Sequence, residues 1–368
     1  MRCLRIYAFS LVCAVSAVLL LCPGTFSQAN GSLQIHFMDV GQGDAALLIS
    51  PQGETVLFDD GTTGNCSKPV AYLTKLGITK IDYHIASHYH SDHIGCAAEV
   101  LGKFPLSKAA YDRGGSYNSK VYRTYVSMVG SKRKTAAEGD TITLDANSPK
   151  PVTVRIVALN GNGIPTTNEN DLSVVSVIKY GSFDAVMGGD LSGFKTGSYE
   201  DIETSVAPKV GQVEIYKVNH HCSAYSSNSA WLETIQPKIA VISVGDGNSY
   251  GHPTEECLER LHNSGIKTFW TEKGVGTPEP ELDVLAGNVV VQVGSDAQGF
   301  KVTYGSGKTE QFPLWGGETE QVQTYAWSKN SNVYHYSNCP VVKNIKAGNL
   351  VQGDSPPTGK TLHQNCQK

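Results

Sequence analysis

The chain has 368 residues, of which 40% are hydrophobic and 17% are charged. This composition is typical of a globular protein and excludes a largely disordered one. The formal net charge of -4 excludes general basicity as a means of binding nucleic acid, so any polyanion site must be local.

The N-terminus has the pattern of an export signal. Arg2 and Arg5 precede an apolar run, Leu11–Leu21, and small residues then lead to Ala29. This order predicts a signal peptide cleaved after Ala29, with the mature protein secreted or periplasmic. An uncleaved anchor and a lipoprotein joined through Cys22 are the alternatives, although the apolar run is short for a membrane span. We expect no later segment to cross a membrane.

The sequence contains nine cysteines, three of which precede the predicted cleavage point. Six remain in the mature chain: Cys66, Cys96, Cys222, Cys257, Cys339 and Cys366. An even number in an exported protein suggests disulfides. The pairing does not follow from the sequence, and position alone suggests Cys66–Cys96 and Cys222–Cys257.

Short apolar runs and amphipathic segments then alternate along the chain. Strands are predicted at Ser32–Val40, Ala46–Ser50, Glu54–Asp59, Ile81–Ser87, Val152–Leu159, Val174–Tyr180, Asp184–Met187, Val213–Val218 and Ile239–Val244. Helices are predicted at Pro69–Leu76, Ser229–Ile235 and Thr254–Asn263. This alternation predicts a layered α/β domain. The expected division is a signal peptide at 1–29, a main domain at 30–304, a glycine-rich polar linker at 305–323 and a small module at 324–368.

The strongest chemical signal follows the strand Ile81–Ser87. Three histidines and one aspartate lie within six residues there: His88, His90, Asp92 and His93. Strand ends are where α/β proteins place their sites, and imidazole with carboxylate suits zinc or manganese. An ordinary turn is the alternative, but such clusters are more typical of metal or catalytic sites.

The pattern His-x-His-x-Asp-His after a strand resembles the metallo-β-lactamase superfamily. More narrowly, the chain resembles the soluble hydrolase domain of ComEC-family competence proteins. The segments that carry this resemblance are 38–45, 57–61, 170–173, 189–191, 217–221 and 248–253. The resemblance implies an αββα four-layer sandwich, followed by a small C-terminal module stapled by a metal ion or a disulfide.

The resemblance also implies two divalent metal ions, zinc or manganese. His88 and His90 would bind the first ion, Asp92 and His93 would bind the second, and Asp190 would bridge them. One of His220 and His221 would complete the second site. We favour His221 as that ligand, with its neighbour hydrogen-bonded to a ligand or in contact with substrate.

Two further residues are compared with the family pattern: Asp59 matches it, and Asn170 departs from that of the wider superfamily. Asp59 resembles a buried carboxylate that orients the histidine loop, with a plain turn aspartate as the alternative. Asn170 stands where many superfamily members place a third histidine on the first metal. This departure makes manganese more plausible and argues against a β-lactamase.

A pair of metal ions can generate hydroxide and stabilise an in-line displacement. We expect Asp92, His220 and His252 to take part in catalysis, His252 by donating to the leaving oxygen. A structural role in a Gly-His-Pro turn is the alternative for His252. The residues expected to brace the site or contact substrate are Asp39, Gln42, Asp44, Asp59, Asn170 and Tyr250.

The segment 103–134 is locally basic, with eight basic residues against one acid, Asp112. Tyrosines are interleaved with the basic residues, and the two together favour contact with phosphates and bases. The expected nucleic-acid-binding residues are Lys120, Arg123, Lys132, Arg133 and Lys134. A solvated surface insertion is the alternative.

The C-terminal module contains His335, Cys339, His363 and Cys366. These could form a structural zinc site, or Cys339 and Cys366 could form a disulfide. The sequence does not decide between the two staples.

The sequence therefore predicts a secreted dinuclear metal-dependent hydrolase, a phosphodiesterase or nuclease acting on extracellular nucleic acid. The alternatives are another metallo-hydrolase, of the phosphorylcholine esterase or lactonase type, and a non-catalytic nucleic-acid-binding module. The basic segment favours the nuclease, because a lactonase would require an apolar pocket.

Overall fold

The structure is a computed structural model that describes residues 30–316, 325–337, 339–353 and 356–363. The predicted signal peptide and Cys366 lie outside the described residues. Within these ranges, no helix is both long and apolar enough to cross a membrane.

The described elements alternate as the sequence predicts, with additional strands. The helices are α1 (Ser67–Lys75), α2 (Ala97–Lys103), α3 (Lys120–Val129), α4 (Glu203–Val210), α5 (Ser229–Ile235) and α6 (Glu255–Asn263). The strands up to residue 144 are β1 (Ser32–Phe37), β2 (Ala46–Ile49), β3 (Thr55–Phe58), β4 (Ile81–Ile85), β5 (Leu106–Asp112), β6 (Arg133–Thr135) and β7 (Thr141–Leu144). The middle strands are β8 (Val152–Ala158), β9 (Val175–Tyr180), β10 (Phe183–Met187), β11 (Ile215–Lys217), β12 (Ile239–Ile242), β13 (Lys267–Trp270) and β14 (Asp283–Leu285). The last are β15 (Val289–Gly294), β16 (Gly299–Tyr304), β17 (Lys308–Pro313), β18 (Tyr325–Ser328), β19 (Val333–Tyr336), β20 (Leu350–Gly353) and β21 (Thr361–Leu362).

Most of these strands form two large mixed sheets. The first has nine strands in the order β17-β16-β15-β1-β2-β3-β4-β5-β6. The second has eight strands in the order β14-β13-β12-β11-β10-β9-β8-β7. Strands β3 to β6 run parallel in the first sheet, and β10 to β14 run parallel in the second. Each sheet therefore has a row of carboxyl ends at which side chains can be collected.

The alternation of apolar residues decides which face of each strand meets which layer. In β1, Leu33, Ile35 and Phe37 point into the core between the sheets, together with Ile178 and Phe183 of the second sheet. The other faces are covered by helices. Leu73, Val100 and Tyr125 of α1, α2 and α3 pack in a second cluster on the first sheet, and Val206, Trp231 and Leu258 of α4, α5 and α6 do the same on the second. The predicted αββα four-layer sandwich is confirmed.

The predicted linker at 305–323 is wrong in its first part. Residues 308–313 form β17, which pairs with β16 along its full length. Phe312 of β17 stacks on Phe300 with ring centroids 5.3 Å apart, and Leu314 is buried. The prediction failed because β17 is an edge strand, and exposed edge strands carry polar residues that resemble a linker. The main domain therefore continues past 304.

The C-terminal module contains a four-stranded sheet in the order β20-β18-β19-β21. His335 and His363 lie beside each other, with ring centroids 4.8 Å apart. Cys339 is disulfide-bonded. This favours the disulfide over the zinc site, because a disulfide sulfur cannot serve as the thiolate that zinc requires.

The two disulfides suggested by position are both confirmed. Cys66 is bonded to Cys96 and Cys222 to Cys257, closing sequence separations of 30 and 35 residues. The first ties α1 to the start of α2, and the second ties the paired-histidine segment to α6. Disulfides of this kind are typical of extracellular or periplasmic proteins.

Candidate metal centre

The candidate site lies where the carboxyl ends of strands from both sheets meet. In the first sheet β3 and β4 are parallel neighbours, so Asp59 and the histidine loop leave the sheet side by side. In the second sheet β10, β11 and β12 are parallel neighbours. Their ends deliver Asp190, the paired histidines and Ser243. Segments far apart in the sequence therefore converge on one point.

Four side chains form a cluster that could hold a metal ion: Asp92, His93, Asp190 and His221. The Oδ1 atom of Asp190 lies 3.2 Å from Nε2 of His93 and 3.6 Å from Nε2 of His221. The Nε2 atom of His221 is also 3.5 Å from Oδ2 of Asp92. The ligand atoms face one another across a space of the size that a coordinated ion requires.

Three of these buried atoms have no hydrogen-bond partner among the described residues: Nε2 of His93, Oδ1 of Asp190 and Nε2 of His221. Buried polar atoms without partners are rare because each one loses its interactions with water. A divalent cation bound between two imidazole nitrogens and carboxylate oxygens would satisfy all three. The residues present therefore fit a metal ion of the zinc or manganese type.

A second group of nitrogens surrounds the other oxygen of Asp190. Its Oδ2 atom lies 3.9 Å from Nε2 of His88 and 3.9 Å from Nε2 of His220. The Nε2 atom of His88 is 3.0 Å from Nδ1 of His90. Asp190 thus stands between two sets of histidines, which is the arrangement a bridging carboxylate requires.

The paired histidines are divided between the two sets. His221 faces Oδ1 of Asp190, the side expected for the second ion, whereas His220 lies on the side of His88. Both have left-handed backbone, with φ of 49° and 51°, in a short turn at 219–222. Sequence reasoning placed His220 beside a ligand or the substrate and did not consider it for the first site. The only available signal was the pairing of the histidines itself.

Asp59 braces the histidine loop and is not a plain turn residue. It accepts hydrogen bonds of 2.7 Å from the Ser87 N–H, from the Ser87 hydroxyl and from Nδ1–H of His93. Because a carboxylate only accepts, it holds the proton of neutral His93 on Nδ1, so that the Nε2 lone pair of the neutral ring would face Asp190. The close contact between the Asp190 segment and Ser87 also requires glycine at position 189, because a Cβ there would lie 2.6 Å from the Cβ of Ser87.

Asp44 and Gln42 support the site from the loop after β1. The buried Asp44 forms an ion pair with Lys217 and lies 3.4 Å from Nδ1 of His221, which donates to the Ser243 carbonyl at 2.8 Å. Gln42 accepts a 3.1 Å hydrogen bond from the Gly245 N–H. These contacts agree with the bracing role expected for both residues.

Asp39 does not reach the cluster. Its carboxylate accepts from the Gly41 N–H at 3.1 Å and from Lys68 at 2.8 Å. Lys68 also donates to Glu272 at 2.6 Å. Asp39 therefore fixes the loop that carries Gln42 and Asp44 without facing the candidate ligands.

The charges at the centre are strongly coupled. Burial favours neutral groups, but the carboxylates of Asp190, Asp59 and Asp92 outweigh it and hold the pKa of His93 well above its usual value. Burial opposes ionisation of Asp190, yet His93, His221 and His220 keep its pKa well below the ordinary range. Asp190 is therefore an ionised carboxylate among these histidines.

His252 lies at the edge of the cluster and is neutral. Burial, then His221 and His220, lower its pKa to about 3, and nearby cations would lower it further. Its Nδ1 accepts from Nε2–H of Gln42 at 3.5 Å, which places the ring proton on Nε2. His252 can therefore offer a neutral N–H donor, but it does not carry the charge of an imidazolium acid.

The cluster opens into a cavity of about 400 Å³. Its floor includes His90, Asp92 and Asp190, and its walls include Asn170, Tyr117, Tyr199 and Tyr250. Asn170 donates from Nδ2 to Nε2 of His220 at 3.1 Å. Polar and aromatic groups thus surround the candidate metal ligands.

The basic segment 103–134 forms α3, β5 and β6 with part of α2, and is not a surface insertion. Arg133 pairs with Asp112 at 2.6 Å, and the buried Arg113 pairs with Glu169 at 2.6 Å. The hydroxyl of Tyr89 donates to Asp112 at 2.7 Å, and its backbone N–H donates to Glu169 at 2.9 Å. Both arginines therefore stabilise the loop that presents His88 and His90, which Tyr89 separates.

The other basic residues named in the sequence analysis are exposed: Lys120, Arg123, Lys132 and Lys134. Lys120 begins α3 between Ser119 and Val121, both of which line the cavity. Lys134 lies over the ring of Tyr111. Of these four residues, Lys120 is the one whose two neighbours in the chain line the cavity.

We predict that Asp59→Asn weakens metal binding by about 10- to 100-fold, because an amide cannot accept from all three donors. Isothermal titration calorimetry with Mn²⁺ and Zn²⁺ measures the change. Asp82→Asn is the matched control, since Asp82 is equally buried in β4 and accepts from Thr55 and Ser107. Equal metal affinity in the two variants would show that Asp59 has no orienting role.

Several known proteins are similar to this chain. The chain is 25% identical over 282 residues to ComE operon protein 3 of Bacillus subtilis, covering 71% of this chain and 34% of that protein. It is 26% identical over 234 residues to Recombination protein 2 of Haemophilus influenzae, covering 62% and 26%. The chain thus spans about a third or less of the length of these relatives.

Among solved structures, the metallo-beta-lactamase fold protein YhfI of Bacillus subtilis is similar, with 14% identity, 66% and 98% coverage and a TM-score of 0.44. CmlA, a diiron beta-hydroxylase of Streptomyces venezuelae, is also similar, with 10% identity, 71% and 54% coverage and a TM-score of 0.46. Residues 38–246 match the family described as Metallo-beta-lactamase superfamily. With more than half of its length in that match, the chain belongs to the metallo-beta-lactamase superfamily.

Proposed function

We propose that this protein is an exported dinuclear phosphodiesterase that cleaves nucleic acid. The observation that carries the proposal is the buried Asp190 carboxylate. Imidazole nitrogens from opposite sides approach its two oxygens at the bottom of an open polar cleft. Such a centre suits attack on a phosphodiester, whose developing charge needs two positive neighbours.

The proposed ligands follow from the two sides of Asp190. His88, His90 and His220 would hold the first ion with Oδ2, and Asp92, His93 and His221 would hold the second with Oδ1. When bound, the two ions supply an activated hydroxide and neutralise charge on the phosphate oxygens. In this structure Nε2 of His220 accepts from Nδ2 of Asn170. Because that nitrogen has a single lone pair, this hydrogen bond would have to break for His220 to bind the ion.

Other side chains would position the substrate. The neutral ring of His252, oriented by Gln42, offers an N–H that can hydrogen-bond to the leaving oxygen. Lys120 and Arg123, exposed on α3, are the proposed phosphate contacts outside the cavity. Arg133 has a smaller part in this proposal than in the sequence analysis, because Asp112 already pairs with it.

The choice of nucleic acid rests on the relatives and on the cleft. One relative is named Recombination protein 2, and because recombination is a reaction of nucleic acid, that name favours a nucleic-acid substrate. The cleft walls are formed by polar and tyrosine side chains, which suits a lactone less well than a nucleotide. A non-catalytic binding module is disfavoured, because such a module would have no need to retain every ligand.

We predict export with removal of residues 1–29. The two disulfides support folding in an oxidising compartment. Mass spectrometry of the exported protein should give a chain that begins at Asn30. Recovery of the protein only in the cytoplasm, with Met1 retained, would contradict this part of the proposal.

We predict that the mature protein hydrolyses bis-p-nitrophenyl phosphate and DNA oligonucleotides with Mn²⁺ or Zn²⁺, and that chelation stops both reactions. The double variant Asp92→Ala/His93→Ala should lose at least about a thousandfold in kcat/KM, because the second ion loses two ligands. The control is His262→Ala on α6, where the ring of His262 pairs with Asp283 of β14. Hydrolysis that survives both chelation and the double variant would refute the metal mechanism.

We predict that His220→Ala and His221→Ala each lower the bound Mn²⁺ from two ions toward one per chain. The reason is that each ring faces a different oxygen of Asp190. Inductively coupled plasma mass spectrometry after dialysis gives the count, and the loss of the coupled-pair signal in electron paramagnetic resonance confirms it. His220→Ala retaining two coupled ions would show that His220 is not a ligand.

A further inference from the structure

Four tyrosines surround the opening of the cleft, and the proposed metal chemistry uses none of them. Tyr117, Tyr199 and Tyr250 line the cavity, and Tyr225 stacks on Tyr199 with ring centroids 5.0 Å apart and an interplanar angle of 30°. Tyr117, Tyr199 and Tyr250 each lie beside a histidine of the centre. Tyr225 reaches the centre only through its contact with Tyr199. Their common feature is an aromatic face beside the reacting position.

The exposure of two of these rings has no structural explanation in the packing. Tyr250 is 68% exposed and Tyr225 is 42% exposed, and both belong to the small group of exposed large apolar side chains in the described part of the chain. Exposed aromatic residues beside a cavity are typical of binding surfaces. A ring left open to water at this point is available to contact a ligand.

Tyr250 is held in place although it is exposed. Asn248 accepts from the Tyr250 N–H at 3.2 Å and donates to the carbonyls of Gly245 at 2.9 Å and His252 at 2.7 Å. The Tyr250 ring lies nearly parallel to His252, with centroids 5.8 Å apart and an interplanar angle of 21°. A rigid aromatic ring binds a flat ligand at low entropic cost.

The Tyr199–Tyr225 pair stands in contact with another residue of the centre. Tyr199 meets His220 edge-on, with centroids 5.7 Å apart. The Gly193 N–H donates to the Tyr225 carbonyl at 2.8 Å, which fixes the backbone of that ring. The aromatic faces thus reach the centre through two different histidines, His252 for Tyr250 and His220 for Tyr199.

The charges of the cleft restrict what these rings can bind. Among the described residues that line the cavity, none is a lysine or an arginine. Beside the candidate metal ligands, the tyrosine faces are therefore the contacts that this lining offers to a nucleotide. Rings stack on unpaired bases, whose faces are available in a single strand and covered in a duplex.

We propose that Tyr250 and the Tyr199–Tyr225 pair form a stacking site for unpaired bases of a single-stranded nucleic acid, next to the phosphate that is cleaved. This rests on the proposed phosphodiesterase function and adds the strand state of its substrate. The bases bind through their faces, so recognition does not depend on the base sequence.

The test compares base stacking with phosphate binding in the mature protein. Fluorescence anisotropy measures the Kd of a labelled oligothymidylate, of an abasic strand of equal length and of a blunt duplex, with chelator present to stop cleavage. The KM and kcat for the oligothymidylate are measured in parallel with Mn²⁺. The variants are Tyr250→Ala, Tyr225→Ala and Tyr250→Phe, with Leu285→Ala as a control that removes an exposed apolar side chain of β14.

The wild type should bind the oligothymidylate about tenfold more tightly than the abasic strand or the duplex. Tyr250→Ala and Tyr225→Ala should each raise its Kd and KM by about tenfold, with no change for the abasic strand. Tyr250→Phe and Leu285→Ala should bind the oligothymidylate as the wild type does. The first keeps the aromatic ring, and the second changes a residue of β14 that does not line the cavity.

Two results would overturn the stacking site. One is that the alanine variants bind the oligothymidylate with the same Kd as the wild type. The other is that the wild type binds the duplex more tightly than the oligothymidylate. Either result with metal-dependent hydrolysis intact removes the stacking site and leaves the proposed function. The absence of any phosphodiester hydrolysis, together with a base-dependent loss of affinity in the tyrosine variants, removes the proposed function and leaves the stacking site. A polyuridylate arm in the same assay tests whether the ribose hydroxyl matters.

Discussion

The carboxylate of Asp190 is buried among imidazole nitrogens that come from two segments of the chain, and most of the surrounding structure serves to keep it there. Burying a charge without partners is costly, so the arrangement requires positive or polar neighbours that cannot move away. Asp59 holds His93, the Ser243 carbonyl holds His221, and the Cys222–Cys257 disulfide ties the paired-histidine turn to α6. Each contact reaches one candidate ligand from outside the cleft.

The need to hold the candidate ligands in place also explains what the arginines of the basic segment 103–134 contact. Arg113 and Arg133 are engaged by Glu169 and Asp112, both of which also hold Tyr89. Their charges are therefore used to fix the histidine loop and are not available to a polyanion. The described lining of the cleft contains tyrosines and polar residues but no lysine or arginine, so the proposed phosphate contacts, Lys120 and Arg123, lie outside it.

The position of His220 changes the interpretation of the first metal position. Asn170 stands where a third histidine is expected in many superfamily members, and the sequence alone suggests a weakened site. In the folded chain His220 faces the same Asp190 oxygen as His88. A left-handed turn at two consecutive residues lets neighbouring histidines serve opposite sides of one carboxylate.

The sequence by itself determined the layered α/β class and the tight group of potential ligands at residues 88–93. Local patterns suffice there, because strand alternation and ligand spacing act over a few residues. Asp190 and the paired histidines were implied by the family resemblance, and the two disulfides were suggested by position without being determined by it. The sequence could not determine that β17 extends the first sheet, since an exposed edge strand and a linker have the same composition. It also could not place Arg133, His220 or Tyr250, because their roles depend on partners 20 or more residues away, as with Asp112 and Asp190, or on the shape of a cleft. Those partners meet only when parallel strand ends from two sheets are brought together, and only the tertiary structure decides that meeting.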